Sequence, residues 1–323
     1  MSQAPPSSEI SLPSESWLAL VPTLGHSRHL ADSVAALRRE GGQVLVIAPR
    51  GALTDRDFSD DPGVDIVETD GPLGFAAANL VGLAAAPRTE YLALVNDDAV
   101  VETGWAAALL AELEAHPRTA AAQGLVVTMQ DEPTVDGAGL AWNHWWQAVQ
   151  VGRGDPVDTW IAEPDIVFGV SATAAMYRRA ALDEIGPLFE TRLDSYYEDV
   201  DLALRLRAAG WSARRVAGAR ARHAGSTTGR HLGADHLVRR NRYSVLARAL
   251  GPALLPRLPK AVLRDAIDTA RACLRLDLMG AGAIAAGTIS GLLRLPAALG
   301  PAMMPPNELQ RWMEGHSGCR SEL

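Results

Sequence analysis

Lysine is nearly missing from this chain of 323 residues: Lys260 is the only one, and arginine carries the remaining positive charge. That bias, with the abundance of alanine, reflects base composition and not function. Cysteine occurs only at Cys273 and Cys319, which excludes a disulfide framework and a thiolate metal site and fits a reducing compartment, the cytoplasm. The stretch from Met1 to Ser16 has neither a cationic start nor an apolar segment, so it does not read as a signal peptide and is expected to be a disordered tail. Long apolar runs are absent too. The uncharged run Leu278 to Leu293 is short of the roughly 18 to 20 residues a spanning helix needs. No internal repeat is visible.

The net charge of -8 argues against wholesale nucleic-acid binding. The charge is also unevenly spread. Between residues 248 and 294, Arg248, Arg257, Lys260, Arg264, Arg271, Arg275 and Arg294 outnumber Asp265, Asp268 and Asp277, so a basic helical region follows an acidic body. Basic residues set among Val262, Leu263, Ile267 and Leu274 suit a helix lying on anionic lipid, and the region from about Arg257 to Met304 is expected to contact the inner face of a membrane peripherally. The alternative is that these helices pack on the sheet or pair in a homodimer, with Gly287 and Gly291 allowing close approach.

What is present is organised around Tyr91 to Val101, an apolar run of strand length that stops at Asn96-Asp97-Asp98. Continuous apolar residues fit a strand covered on both faces, and ligands gather beyond the carboxyl ends of such strands. Two adjacent carboxylates there suit a divalent cation; equally, they could form a polar turn that caps the next helix. Upstream, strands at Trp17 to Pro22, Gln43 to Ala48 and Val64 to Glu68 alternate with helices at Leu30 to Glu40 and Gly74 to Ala86, which implies a parallel sheet with right-handed crossovers. A helix at Thr103 to His116 and a strand near Ala121 to Val127 follow.

From Met129 to Pro164 the pattern breaks down, and Trp142, Trp145, Trp146 and Trp160 fall among glycines. They suit stacking on a sugar ring or closing a small satellite core. Glu198-Asp199-Val200-Asp201 then opens a helix that ends at Gly210, with Asp201 and Arg205 as an i, i+4 pair. Its acids are either capping residues or a general base in a pocket. A strand is expected at Ser212 to Ala217, then His223, then helices at about Ala234 to Leu250, Pro259 to Leu276 and Gly280 to Leu293.

Taken in order, Gly74-Phe75-Ala76-Ala77-Ala78-Asn79, Val95-Asn96-Asp97-Asp98-Ala99, Gly169 with Met176-Tyr177-Arg178-Arg179, Ile185 to Glu190, and Tyr197-Glu198-Asp199-Val200-Asp201-Leu202 with Arg205, Gly210 and Trp211 resemble the inverting glycosyltransferases of family two. The resemblance is nearest to their bacterial rhamnosyltransferase-like branch and runs from about Trp17 to Tyr243. It implies an α/β GT-A domain over residues 17–250, followed by a helical region at 251–304 and a tail at 305–323. It also implies a nucleoside-diphosphate sugar donor, first guess a deoxyhexose such as rhamnose, and a carbohydrate or lipid-linked acceptor. By the same resemblance Asp98 and His223 would hold Mn2+ or Mg2+, Asp199 would be the general base and Glu198 a supporting acid. Pro22, Thr23, Gly74, Asn79, Asn96 and Asp97 would serve the donor, and Gly169, Trp145, Trp146 and Tyr197 the acceptor.

The turn after the second strand departs from the family. It reads Ala48-Pro49-Arg50-Gly51-Ala52-Leu53-Thr54-Asp55, with no clear counterpart of the acid that meets the nucleobase, and a non-catalytic nucleotide- or sugar-binding relative is the rival reading. Retention of Asp98, Asp199 and His223 argues against it. A nucleotidyltransferase would need a basic phosphate-gripping loop near the first strand, where only Arg28 stands.

Overall fold

A computed structural model describes residues 16–53, 58, 61–160, 165–225 and 232–314. Residues 1–15 of the expected tail at 1–16, the end of the second tail at 315–323 with Cys319, and Thr54 and Asp55 lie outside the described residues.

The first half alternates as expected: β1 (Trp17–Pro22), α1 (Leu30–Arg39), β2 (Gln43–Pro49), β3 (Val64–Thr69), α2 (Phe75–Ala85) and β4 (Tyr91–Val95). All five residues of β4 are buried, with β1 parallel on one side. β4 stops at the acidic tip as expected, and Asn96 to Asp98 turn the chain before it resumes as β5 (Ala99–Val101). Next come α3 (Trp105–Ala115) and β6 (Thr119–Thr128).

The tryptophan-rich stretch is a set of short strands, β7 (Val135–Gly137), β8 (Leu140–Trp142) and β9 (Ala148–Gln150), followed by β10 (Asp165–Val167). Then come β11 (Ala174–Arg178), α4 (Arg179–Ile185), α5 (Glu198–Ala208) and β12 (Ser212–His223). β12 runs six residues beyond the expected end at Ala217. The main sheet path is β10-β12-β6-β11-β4-β1-β2-β3. Pairs along it are parallel except those made by β11 with β4 and β6, and by β10 with β12. Helices flank it, so the architecture is a mixed α/β sheet followed by C-terminal helices.

Those helices are α6 (Leu232–Leu250), α7 (Leu258–Leu274), α8 (Leu278–Ala298) and α9 (Pro306–Glu314). α8 extends past the uncharged run through Arg294. Its 21 residues are long and apolar enough to cross a membrane by length and composition, but 44% of its most apolar window is buried within the fold. Gly287 and Gly291 explain how it packs: a Cβ on either would come within 2.5 Å of the His236 carbonyl or 2.6 Å of the Tyr243 ring, so α8 lies directly on α6. Tyr197, Val200 and Ala203, at and after the start of α5, share one apolar cluster with Tyr243, Leu246, Leu254, Ala261 and Leu295.

One buried carboxylate ties three of these helices together. Asp265 of α7 accepts from Arg242 Nη2 at 2.7 Å and Tyr243 Oη at 2.6 Å, both on α6, and from Thr288 Oγ1 of α8 at 3.0 Å. Asp265→Ala should therefore lower the unfolding free energy by about 3–5 kcal/mol, because it strands the buried Arg242 guanidinium. Chemical denaturation checks this, and a loss below about 1 kcal/mol would mean that the carboxylate does not couple the helices to the rest of the fold.

Candidate active site

The carboxylates after β4 are held by their neighbours and do not cap α3. Thr23 Oγ1, just past the end of β1, donates to Asp97 Oδ2 at 2.5 Å. Asp98 Oδ1 lies 3.1 Å from His223 Nε2, a pairing set by register, since β5 and β12 run antiparallel with His223 opposite Ala99. The start of α3 is satisfied instead by Glu40, which accepts from the amides of Gly104 and Ala106 at 3.0 and 2.9 Å.

The other ring nitrogen of His223 is 2.8 Å from Asp136 Oδ2, on β7, and Asp136 is bridged to Arg153 at 3.1 Å. Burial would depress the His223 pKa, but the hydrogen bonds to Asp136 and Asp98 outweigh it and raise the value to about 9. Burial likewise opposes ionisation of Asp136, while His223 and Arg153 together hold its pKa below the usual value. Among the described residues no group of three or more His, Cys, Asp or Glu is arranged to hold a metal. Asp98 Oδ1 and His223 Nε2 still fit a magnesium- or manganese-type site, in which few protein ligands are completed by substrate phosphates and water. The Asp136 contact also matches the way a carboxylate orients a ligating imidazole.

The second acidic group follows a backbone turn of unusual conformation. Asp194, Tyr196 and Tyr197 have φ of 65°, 69° and 71°, left-handed values that cost non-glycine residues energy unless the surroundings impose them. Asn241 of α6 imposes them. Its buried Nδ2 donates to the carbonyls of Leu193, Ser195 and Tyr196 at 2.7, 2.9 and 2.7 Å, and Arg240 fixes the amide by donating to Oδ1 at 2.8 Å. The Tyr197 hydroxyl accepts from the Ala148 amide at 3.1 Å.

This turn delivers Glu198 and Asp199, neither of which forms an ordinary helix cap: Asp199 Oδ1 accepts from the adjacent Val200 amide at 2.8 Å, its carboxylate is also hydrogen-bonded by the Ala172 amide and the Ser171 side chain, and Glu198 Oε2 is buried without a partner. Burial raises the Asp199 pKa to about 6. Burial, then the charge of Asp199, pushes Glu198 well above the carboxylate range. Asp201 is separate. Fully buried, it is bridged to Arg205 at 2.9 Å and Arg248 at 2.6 Å, which makes it a structural anchor.

Both acidic groups open into one cavity of about 1510 Å³. Of the residues proposed from sequence, Pro22, Asn96, Asp97, Asp98, His223, Tyr197, Glu198, Asp199, Trp145 and Trp146 line it. Thr23 touches it only through Asp97, and Gly74, Asn79 and Gly169 do not line it. A Cβ at Gly74 would lie 1.7 Å from Asp194 Oδ1, and one at Gly169 2.2 Å from Ala203 Cβ, so close packing accounts for both glycines. Asn79 is buried and donates to the Phe75 carbonyl in its own helix at 2.9 Å. The tryptophans divide: Trp142 is buried against Phe168 and Trp160 bonds Asp155, whereas Trp145 is half-buried at the cavity wall. Asp136, Arg153 and Asn241 escaped the reading of the sequence, because each acts through a partner far along the chain and belongs to no local pattern.

Residues 91–284, more than half of the chain, match the family model described as glycosyl transferase family group 2, and the chain belongs to that family. The solved structures that resemble it include GalNAc-T7 with UDP, GalNAc and Mn2+, at 14% identity and a TM-score of 0.62 over 77% of this chain and 51% of that one. TarS 1-349 of S. aureus, in complex with UDP-GlcNAc, aligns at 14% identity and 0.57 over 88% of this chain and 84% of that one. The mannosyltransferase PcManGT from Pyrobaculum calidifontis, in complex with GDP-Man and Mn2+, aligns at 16% and 0.52 over 86% and 87%. These likenesses are of fold, and the fold is GT-A. The chain spans about half the length of the GalNAc-T7 chain it matches. No curated protein matches it.

Asn241→Ala should cost about 2–4 kcal/mol, since the carbonyls of Leu193, Ser195 and Tyr196 lose the amide donor and Arg240 Nη2 still reaches only that of Leu193, at 2.9 Å. Asn241→Asp, which keeps the shape and replaces the donor by an acceptor, should be no better. A denaturation midpoint for Asn241→Asp equal to that of the wild type would show that the amide does not hold the turn.

Proposed function

We propose that this chain is a metal-dependent, inverting glycosyltransferase that moves a sugar from a nucleoside diphosphate to an acceptor hydroxyl, with Asp199 as general base. The observation that carries this reading is that a single cavity gathers the Asp98–His223 pair at one pole and a buried carboxyl titrating near 6 beside it. At neutral pH such a carboxyl is ionised yet more basic than an ordinary aspartate, which suits it to take a proton from an attacking hydroxyl. As that oxygen bonds to the anomeric carbon, the bond to the diphosphate breaks on the opposite face, and configuration inverts. Glu198, whose charged form is disfavoured by burial and then by the charge of Asp199, helps to position the acceptor.

On the donor side the buried, unpartnered Asn96 Oδ1 accepts from a ribose hydroxyl, and Asp97, braced by Thr23, orients the sugar. A cation held by Asp98 and His223 would offset the charge on the departing diphosphate. The imidazole ligand favours manganese over magnesium. The donor to test first is a thymidine diphosphate deoxyhexose such as rhamnose, which rests on the resemblance carried by Tyr197 to Leu202.

Asp199→Asn should keep the fold and nucleotide binding and lower transfer by roughly 100- to 10,000-fold. Because burial raises the Asp199 pKa, the base becomes protonated sooner on acidification, so the wild-type rate should fall as pH drops through about 6. A near-normal rate in Asp199→Asn would remove it from the mechanism.

Manganese binding, followed by calorimetry, should weaken by more than about 10-fold in Asp98→Ala and in His223→Ala. Loading the cation displaces the proton that His223 otherwise holds to about 9, so affinity should tighten as pH rises towards that value. Transfer that persists in saturating chelator would end the metal-dependent reading.

A further inference from the structure

The transfer chemistry leaves one end of the cavity unused. α7 presents Lys260, Arg264, Ile267 and Arg271 to it, at spacings of four, three and four, and hence on a single helix face. Arg264 is bridged to Asp268 at 3.1 Å, but Lys260 and Arg271 are exposed and have no carboxylate within ion-pair distance among the described residues. Lys260 Nζ and the Arg264 guanidinium stand 5.6 and 5.9 Å from the centre of the Trp145 ring, so cations and a flat aromatic face converge on one wall. The same cavity also carries Asp97, Asp98 and Asp136. Two poles of opposite sign in one cavity sort its ligands: the acidic pole takes a cation with the donor diphosphate, and the basic wall suits a second anion.

Just past Arg271 the basic wall ends in an apolar corner. Leu276, at a φ of 59°, turns the chain from α7 into α8, and Leu274, Leu276, Leu278 and Met279 are 84%, 85%, 69% and 66% exposed. Asp277, the one acid among them, is engaged as the cap of α8, accepting from the Gly280 amide at 2.9 Å. A cationic wall continuous with exposed apolar side chains matches a ligand with a phosphate at one end and a hydrocarbon chain at the other.

We propose that the α7 wall binds the phosphate or diphosphate group of an amphiphilic acceptor, with its hydrocarbon chain lying along the Leu274 to Met279 corner. This rests on the glycosyltransferase reading in that the ligand is the acceptor of that reaction. Lys260 and Arg271 supply the free charge, Trp145 covers the sugar nearest the phosphate, and the acceptor hydroxyl extends towards Asp199.

The test is a titration of the full chain, in excess chelator, with farnesyl diphosphate and with inorganic pyrophosphate, followed by intrinsic tryptophan fluorescence. Farnesyl diphosphate should bind saturably and more tightly than pyrophosphate. Lys260→Ala and Arg271→Ala should each weaken it roughly fivefold. Leu276→Asp with Leu278→Asp should weaken it about tenfold or more while leaving pyrophosphate unchanged. Manganese-dependent binding of nucleoside diphosphate, measured by calorimetry, should stay at the wild-type value in all these variants.

Equal affinity for the two probes would overturn the amphiphile, and variants that weaken nucleotide binding instead would assign the wall to the donor. A change of mass in light scattering for the corner variant would assign the corner to a second copy of the chain, which also overturns the proposal. Failure to bind farnesyl diphosphate while manganese-dependent nucleotide binding persists would sink this inference alone. Loss of both would sink the transferase reading with it.

Discussion

The amide of Asn241 is the contact on which the active-site geometry most depends. Through it α6 reaches across to three carbonyls of a turn whose left-handed residues would relax without it, and the turn in turn sets the first residue of α5. The C-terminal helices are therefore part of how the acids of α5 are aimed. Asp265 fastens α7 and α8 to α6, so the helix that carries Asn241 is itself held by a buried polar network.

The cavity combines two electrostatic strategies. At the Asp98 end, His223 is held between two carboxylates, and the protein keeps the site neutralised with a proton that a cation can replace. At Asp199 the carboxyl is desolvated so that its charge becomes costly and its basicity rises. The poles differ because strand ends fix Asp98 and His223 through sheet register, whereas Asp199 sits at a helix start whose approach is bent.

How far the sequence foretold this follows the range over which each residue acts. Asp98 and Asp199 stood out because each interrupts an apolar period at a strand end or helix start, a local signal. The parallel first half was legible for the same reason: β1, β2 and β4 are continuous apolar runs, and the helices α1 and α2 alternate with the strands. Asp136 left no such mark, since its partner His223 is 87 residues away. β11 is short and runs antiparallel inside a mostly parallel sheet, so no alternation predicts it. Gly74 and Gly169 drew attention as motif glycines, yet they serve close packing against Asp194 and Ala203, a distinction that only neighbouring atoms can make.

β12 is longer than its apolar pattern suggested because it contains a break. Arg215 pairs with Gln123 and Arg220 with Leu125, so extra residues, including Gly218 at a φ of 83°, loop out between two paired segments. The first segment belongs to the core and the second carries His223. The bulge takes up this slack inside the core, with Val216 and Ala219 buried, while both paired segments keep their seats. After Arg220 there is no such slack, and a single inserted residue would turn His223 to the opposite face of the sheet, away from Asp98.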